Sequence, residues 1–229
     1  MQARLIRSED LAPAVRHFEF EAQGVEQLDF VPGQFVSFTA EVDGKPITRA
    51  YSLASAPNGT NRFELCLNRV ENGKLSPRIF AMQPGDTIAM TPPLGTFTLR
   101  EPARDSILIA TGTGITPFRS MLHAHLPKRS PSFTLLFGVR HESHLLYRGE
   151  FEAMAREHAH FRFWPTLSRP ESSWSGRSGH VQNHLADAIA GSTDLDFYLC
   201  GLQPMVDGVR AMLKEMGFDR KQIRYEKYD

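Results

Sequence analysis

Ile107-Leu108-Ile109-Ala110-Thr111-Gly112-Thr113-Gly114-Ile115-Thr116-Pro117-Phe118 reads as a short buried strand, a glycine turn and the start of a helix. Pro117 fits the first helical turn, where its missing N–H costs little. Beyond it Phe118, Met121, Leu122, His125 and Leu126 fall on one face at helical spacing. Glycines at such a turn let the backbone approach a pyrophosphate, and the free N–H groups of a helix start face an anion. The third glycine of the usual dinucleotide fingerprint is missing, so alone the turn reads equally as a plain connection from strand to helix.

Downstream, the alternation of strand and helix continues. Phe133 to Phe137 is a second buried run, followed by a helix around Glu150 to Glu157 and a strand from Phe161 to Leu167. A helix with Val181, Leu185, Ala188 and Ile189 on one face leads to the strand Asp196 to Cys200. The last helix shows Met205, Val209, Met212, Leu213 and Met216, and the chain finishes with a strand from Gln222 to Tyr228. The methionines at this spacing read as core. Repeated strand and helix units with right-handed crossovers predict a parallel sheet covered on both faces.

Upstream, the rhythm is different. Phe18 and Phe20, then Val36, Phe38 and Ala40, then Phe63, Leu65 and Leu67 alternate with polar neighbours, the period of half-buried strands. Pro32-Gly33, Asp43-Gly44, Asn58-Gly59, Asn72-Gly73 and Pro84-Gly85 punctuate them. This half is expected to be a small antiparallel barrel or sandwich, with the charged stretch Arg100 to Asp105 as the junction.

Composition narrows the function classes. The 229 residues are 41% hydrophobic and 23% charged, with 26 basic and 26 acidic side chains, so the chain buries a core and advertises no surface for nucleic acid or anionic membrane. No signal peptide or membrane-spanning run is evident, which predicts a soluble cytoplasmic protein. Two cysteines, Cys66 and Cys200, cannot supply a four-thiolate centre, and the nine histidines show no ligand spacing, so no metal is expected.

Three arginines are candidates for a nucleotide. A sheet of this type selective for NAD places an acidic residue at the end of its second strand, whereas here the end is Gly138-Val139-Arg140. Arg140, with Ser168-Arg169 and Arg177 after the third strand, suits a 2′-phosphate. In the first half, Arg49-Ala50-Tyr51-Ser52 places an aromatic ring beside a cation, a pair able to stack on a flat ring and neutralise a phosphate, or merely to form a half-buried strand.

Taken in order, these segments resemble the ferredoxin-NADP(H) reductase superfamily. Arg49-Ala50-Tyr51-Ser52 matches its flavin signature, and Gly73-Lys74-Leu75-Ser76 is similar to its second flavin motif. Gly112 to Pro117 resembles its nicotinamide-dinucleotide turn, Cys200-Gly201-Leu202 its Cys-Gly motif, and Glu226-Lys227-Tyr228 its acid-plus-aromatic C-terminus. The motifs span nearly the whole chain. The resemblance implies two domains, a flavin-binding antiparallel Greek-key β-barrel (1–102) followed by a Rossmann-like NAD(P)-binding α/β domain with a parallel sheet (103–229).

It also implies roles. Arg49 would pair with the flavin pyrophosphate, Tyr51 would cover one face of the ring and Ser52 would hydrogen-bond near its reactive nitrogen. Ala50, Asn68 and the Gly73, Lys74, Leu75 and Ser76 segment would complete the FAD site. Thr113, Gly114 and Thr116, with Arg140, Ser168, Arg169 and Arg177, would hold NADP(H), joined by Cys200 and Gly201. Tyr228 would lie over the opposite ring face and yield to nicotinamide, Cys200 would orient that ring as a neutral thiol, and Glu226 would tune or relay a proton. Hydride transfer requires the two reacting atoms within about 3 to 3.5 Å. The implied activity is hydride exchange between NADP(H) and FAD, with single electrons passed to or from a separate ferredoxin or flavodoxin by a monomer. An NADH-dependent oxygenase reductase component or free-flavin reductase, and a flavin-binding electron-transfer subunit of a larger complex, are the alternatives.

Overall fold

Alternating burial in the first hundred residues closes a six-stranded antiparallel sheet upon itself. A computed structural model of the chain describes residues 1–128 and 131–228. The strands are β1 (Gln2–Ala12), β2 (Val15–Gln23), β3 (Phe35–Val42), β4 (Lys45–Ser52), β5 (Arg62–Asn68) and β6 (Thr87–Met90), in the order β4-β3-β6-β1-β2-β5. A bridge between Leu53, just beyond β4, and Leu65 of β5 draws the two outer strands together. Closure of this kind removes the exposed edges of an open sheet. A single helical turn and a half, α1 (Ser76–Ala81), interrupts the strands between β5 and β6.

The barrel is filled by phenylalanines. Phe18, Phe20, Phe38 and Phe63 are wholly buried, and Phe20 meets Phe38 edge-on at 5.1 Å and Phe63 in a stack at 5.7 Å. Outside, β1, β2 and β5 carry a ladder of ion pairs, with Glu19 accepting from Arg7 at 2.7 Å and from Arg62 at 3.0 Å. This explains why β1 is silent in the sequence: only Ala3 and Leu5 of its length are buried, and charged side chains occupy the rest of its pattern.

The second half forms a six-stranded parallel sheet. Its strands are β7 (Ser106–Thr111), β8 (Phe133–Val139), β9 (Phe161–Leu167), β10 (Arg177–Ser178), β11 (Asp196–Leu202) and β12 (Ile223–Tyr228), in the order β10-β9-β8-β7-β11-β12. The helices are α2 (Thr116–His125), α3 (Arg148–Glu157), α4 (Leu185–Ile189) and α5 (Gln203–Glu215). The chain divides into two compact units, Met1–Leu99 with Thr116–Ala124 and Arg100–Ile115 with His125–Asp229, so most of α2 is built into the barrel unit.

Two expectations are corrected. The apolar face from Val181 to Ile189 is a 3-10 turn, Val181–His184, followed by the five-residue α4. Asn183 holds the turn by accepting from the His180 N–H at 3.0 Å, and Ala190 ends α4 in the left-handed region at φ 49°. Met216 is no core residue, since it caps α5 and is 43% exposed. The two-residue β10, which nothing in the sequence pattern announces, adds an edge beside β9.

Strand order reverses between β7 and β11, the switch point at which sheets of this type bind ligands beyond their carboxyl ends. There the backbone is packed too tightly for side chains. A Cβ on Gly114 would run into the Cys200 carbonyl and stand 2.7 Å from the Gly201 nitrogen. One on Gly201, which sits at φ +145°, would strike the Thr111 hydroxyl, the group that accepts the Leu202 N–H at 3.2 Å.

Gly114→Ala must therefore push two strand ends apart, and we expect a loss of about 1 to 3 kcal/mol, read from the shift of the urea midpoint. Phe20→Ala removes the ring on which the barrel packs and is expected to cost about 3 to 5 kcal/mol in the same measurement.

Candidate functional site

The end of β4 delivers the first group of candidates. Tyr51 lies opposite Val36 of β3 with its ring 5.7 Å from Phe38, and burial pushes its hydroxyl up to about 12, so it remains protonated. Ser52, opposite Phe35, is buried, and Ala50 lies opposite Ser37. Arg49 is exposed; its Nη1 donates to the Thr48 carbonyl at 2.8 Å, and no carboxylate pairs with it among the described residues.

Asn68 closes β5 and is exposed, followed by the Gly73-Lys74-Leu75-Ser76 turn into α1. A Cβ on Gly73 would meet the Val70 Cβ at 2.8 Å and the Ser76 Oγ at 3.1 Å, so glycine is required here for space. Ser76 Oγ accepts the Val70 N–H at 3.0 Å, Leu75 is buried beneath, and Lys74 projects from the turn, exposed.

In the parallel sheet, Gly112 opens the dinucleotide turn at φ 54° and a Cβ there would meet nothing within 4 Å, so this side of the turn is open. Thr113 is half-buried and Gly114 buried. Thr116 has a different setting from its neighbours: it is 1% exposed, and its hydroxyl donates to the Cys66 carbonyl at 3.4 Å. Its side chain is thus committed within the barrel unit.

Beyond β8 and β9 the backbone draws two of the arginines together. Arg169 N–H donates to the Arg140 carbonyl at 2.9 Å, and Ser168 N–H to Val139 at 3.0 Å. Both arginines are exposed, and neither has an ion-pair partner among the described residues. Arg177 lies on β10, opposite Thr166 of β9. Its guanidinium stacks 3.8 Å above the Trp164 ring, and its carbonyl accepts the Trp174 indole N–H at 2.8 Å. The sequence offered no signal for this stack, which needs the pairing of β10 with β9.

Cys200 and Glu226 are paired across β11 and β12. Burial, reinforced by the Glu226 charge, pushes the Cys200 thiol well up, while a hydrogen bond with Tyr228 opposes this. The thiol is therefore neutral. Burial raises the Glu226 carboxyl to about 7, so near neutrality it is divided between charged and protonated forms. Gly201 and Tyr228 follow on the same pair of strands. Cys66 is also a buried thiol, and no group of three metal-ligating side chains assembles among the described residues.

These features fit a flavin and a dinucleotide. An exposed arginine without a carboxylate stands beside a protonated tyrosine ring, as a phosphate and a flat heterocycle require. In the other unit a left-handed glycine leaves an open turn at a topological switch point, and two exposed arginines lie at one sheet edge. Arg119 and Ser120, which with Thr116 form a polar stripe on α2, went unread in the sequence, although their i, i+3, i+4 spacing was legible beside the apolar face.

Comparison with known proteins agrees with this picture. Residues 2–99 match the oxidoreductase FAD-binding domain and residues 108–211 the oxidoreductase NAD-binding domain. The chain is 40% identical to ferredoxin–NADP reductase B of Sorangium cellulosum, across 100% of this chain and 97% of that one. It is 34% identical to the anthranilate 1,2-dioxygenase electron transfer component of Acinetobacter baylyi, across 94% of this chain but only 62% of that protein. A ferredoxin NADP+ reductase from Neisseria gonorrhoeae, solved with bound FAD and NADP, superposes with a TM-score of 0.86 at 25% identity, covering 99% of this chain and 98% of that one. Among the described residues no helix is long and apolar enough to cross a membrane. With two matching domains and a relative aligned along nearly its full length, the chain belongs to the ferredoxin-NADP(H) reductase superfamily of FAD- and NAD(P)-binding oxidoreductases.

Proposed function

We propose that the protein is a ferredoxin-NADP(+) reductase, exchanging hydride between NADP(H) and FAD and single electrons with a separate ferredoxin or flavodoxin. In this reading it is a cytoplasmic monomer whose residues 1–102 bind flavin and whose residues 103–229 bind the nucleotide. The observation that carries the choice of NADP(H) is the pairing of the Arg140 and Arg169 loops, two exposed cations at one strand end. The Sorangium relative supports the choice of acceptor.

The bound cofactors would supply hydride and one-electron chemistry, and the chain supplies position. Arg49 neutralises the flavin pyrophosphate, with Asn68 and the turn from Gly73 to Ser76 beside it. Tyr51 presents a ring face and Ser52 a hydroxyl, while Ala50 keeps the strand thin between them. Thr113 and Gly114 offer backbone N–H groups to the dinucleotide, and Ser168 supports the arginine pair at its 2′-phosphate. Cys200 packs as a neutral thiol beside Gly201, and Tyr228 covers the place that nicotinamide takes. Glu226 holds or releases a proton on its carboxylate near neutral pH.

A second reading is an NADH-dependent reductase component of an oxygenase. The Arg177 guanidinium stacks on Trp164, which weakens the case for a third cation at a 2′-phosphate, and the Acinetobacter relative is such a component.

The visible spectrum of the purified protein before and after anaerobic NADPH tests the main reading, which requires a yellow protein that bleaches. Arg169→Ala is expected to weaken NADPH binding by about 1 to 3 kcal/mol in a spectral titration and to leave NADH binding almost unchanged. Equal losses for both nucleotides would favour the NADH-dependent reading. Because burial lifts the folded Glu226 carboxyl to about 7 from the usual carboxylate value of 4.5, its contribution to stability is full below about pH 4.5 and lost as pH rises through about 7. Glu226→Gln should flatten that slope in urea midpoints taken from pH 4 to 8.

A further inference from the structure

We infer that Arg119 is a positioning residue for the hydride step: with Thr116 and Ser120 it fastens the helix that follows the dinucleotide turn to the backbone just beyond the flavin signature. The inference rests on the functional reading above, because it assigns a role in that same reaction.

The three residues occupy positions i, i+3 and i+4 of α2 and so share one face. Each donates to a backbone carbonyl of the barrel. Thr116 bonds Cys66 on β5, Arg119 Nη1 bonds Ala54 at 2.9 Å, and Ser120 Oγ bonds Ser55 at 2.6 Å. Ala54 and Ser55 lie two and three residues beyond Ser52.

A buried polar network backs this grip. Arg119 Nη1 also meets Glu64 Oε2 at 2.6 Å, with only 12% of its side chain exposed, and His17 approaches the other Glu64 oxygen at 3.8 Å. The Glu64 backbone joins in, accepting the Ala54 N–H at 2.7 Å and donating to Ser55 Oγ at 3.1 Å. The segment after the flavin signature is thus held from β5 and from α2 at once.

Apolar packing alone would keep α2 in place. Met121 fills the space beside Gly33, Phe118 lies 5.8 Å from Phe97, and Leu122 is buried. Hydrophobic contacts are non-directional, however, and tolerate small slides along the helix axis. Three directed hydrogen bonds, one of them charge-assisted, fix that register. Arg119 is engaged with the Ala54 carbonyl and the Glu64 carboxylate, so its effect is on placement. A displacement of the order of 1 Å in such a reaction slows it about 10²-fold.

The test compares wild type with Arg119→Met, Arg119→Lys and Ser120→Ala. Three quantities are read: flavin bleaching in anaerobic rapid mixing at saturating NADPH, NADPH affinity, and amide hydrogen exchange at residues 53–56 and 112–116 without nucleotide. Arg119→Met is expected to retain FAD, to bind NADPH within about threefold of wild type, to bleach about 10- to 100-fold more slowly, and to exchange faster in both segments. Arg119→Lys should recover part of the rate, and Ser120→Ala should shift rate and exchange in the same direction by less, which keeps the test open if Arg119→Met fails to fold. Wild-type bleaching with unchanged exchange, or a loss confined to NADPH affinity, overturns the inference. A wild-type protein that accepts hydride from neither nucleotide overturns the functional reading instead, and the exchange comparison then still decides whether Arg119 holds the two segments.

Discussion

Close approach of backbone to backbone at the reversal of strand order is the constraint on which the nucleotide-binding half depends. Gly114 stands against the Cys200 carbonyl, and Gly201 stands against Thr111. Any side chain at either position would separate β7 from β11, and with them the turn, the buried thiol and the strand pair that carries Glu226 and Tyr228. The glycines are therefore needed twice, once for the open face at Gly112 and once for the packed face at Gly114.

The barrel works by an opposite device. Its interior is crowded with large rings, and β4 inherits its rigidity from them through the contact of Tyr51 with Phe38. A ring held in this way loses little freedom when it meets a flat ligand, and its raised hydroxyl keeps it uncharged. Arg49, by contrast, stays in water on the same strand. Rigid apolar support beside a solvated cation suits a cofactor with an aromatic end and a phosphate end.

Much of this was legible in the sequence because its determinants are local. A strand followed by two glycines and a proline specifies the turn, period-two phenylalanines specify the barrel, and Arg-Ala-Tyr-Ser occupies four consecutive residues. What stayed hidden depends on distant partners. The stack of Arg177 on Trp164 exists only because a two-residue strand joins β9, and the raised carboxyl of Glu226 reflects burial that no pattern in a six-residue terminal strand reveals. The polar stripe on α2 was overshadowed by the apolar face of the same helix. The helix expected across Val181 to Ile189 broke because its apolar spacing holds equally in a 3-10 turn followed by a short α-helix.

The seclusion of both sulfurs has a practical corollary. With Cys66 and Cys200 enclosed, and the latter strongly disfavoured as a thiolate, the native protein is expected to resist alkylating reagents and mild oxidants. Inactivation by such reagents would report transient opening of the sheets and not chemistry at an exposed nucleophile, and a cysteine introduced on the surface would accept a spectroscopic label alone.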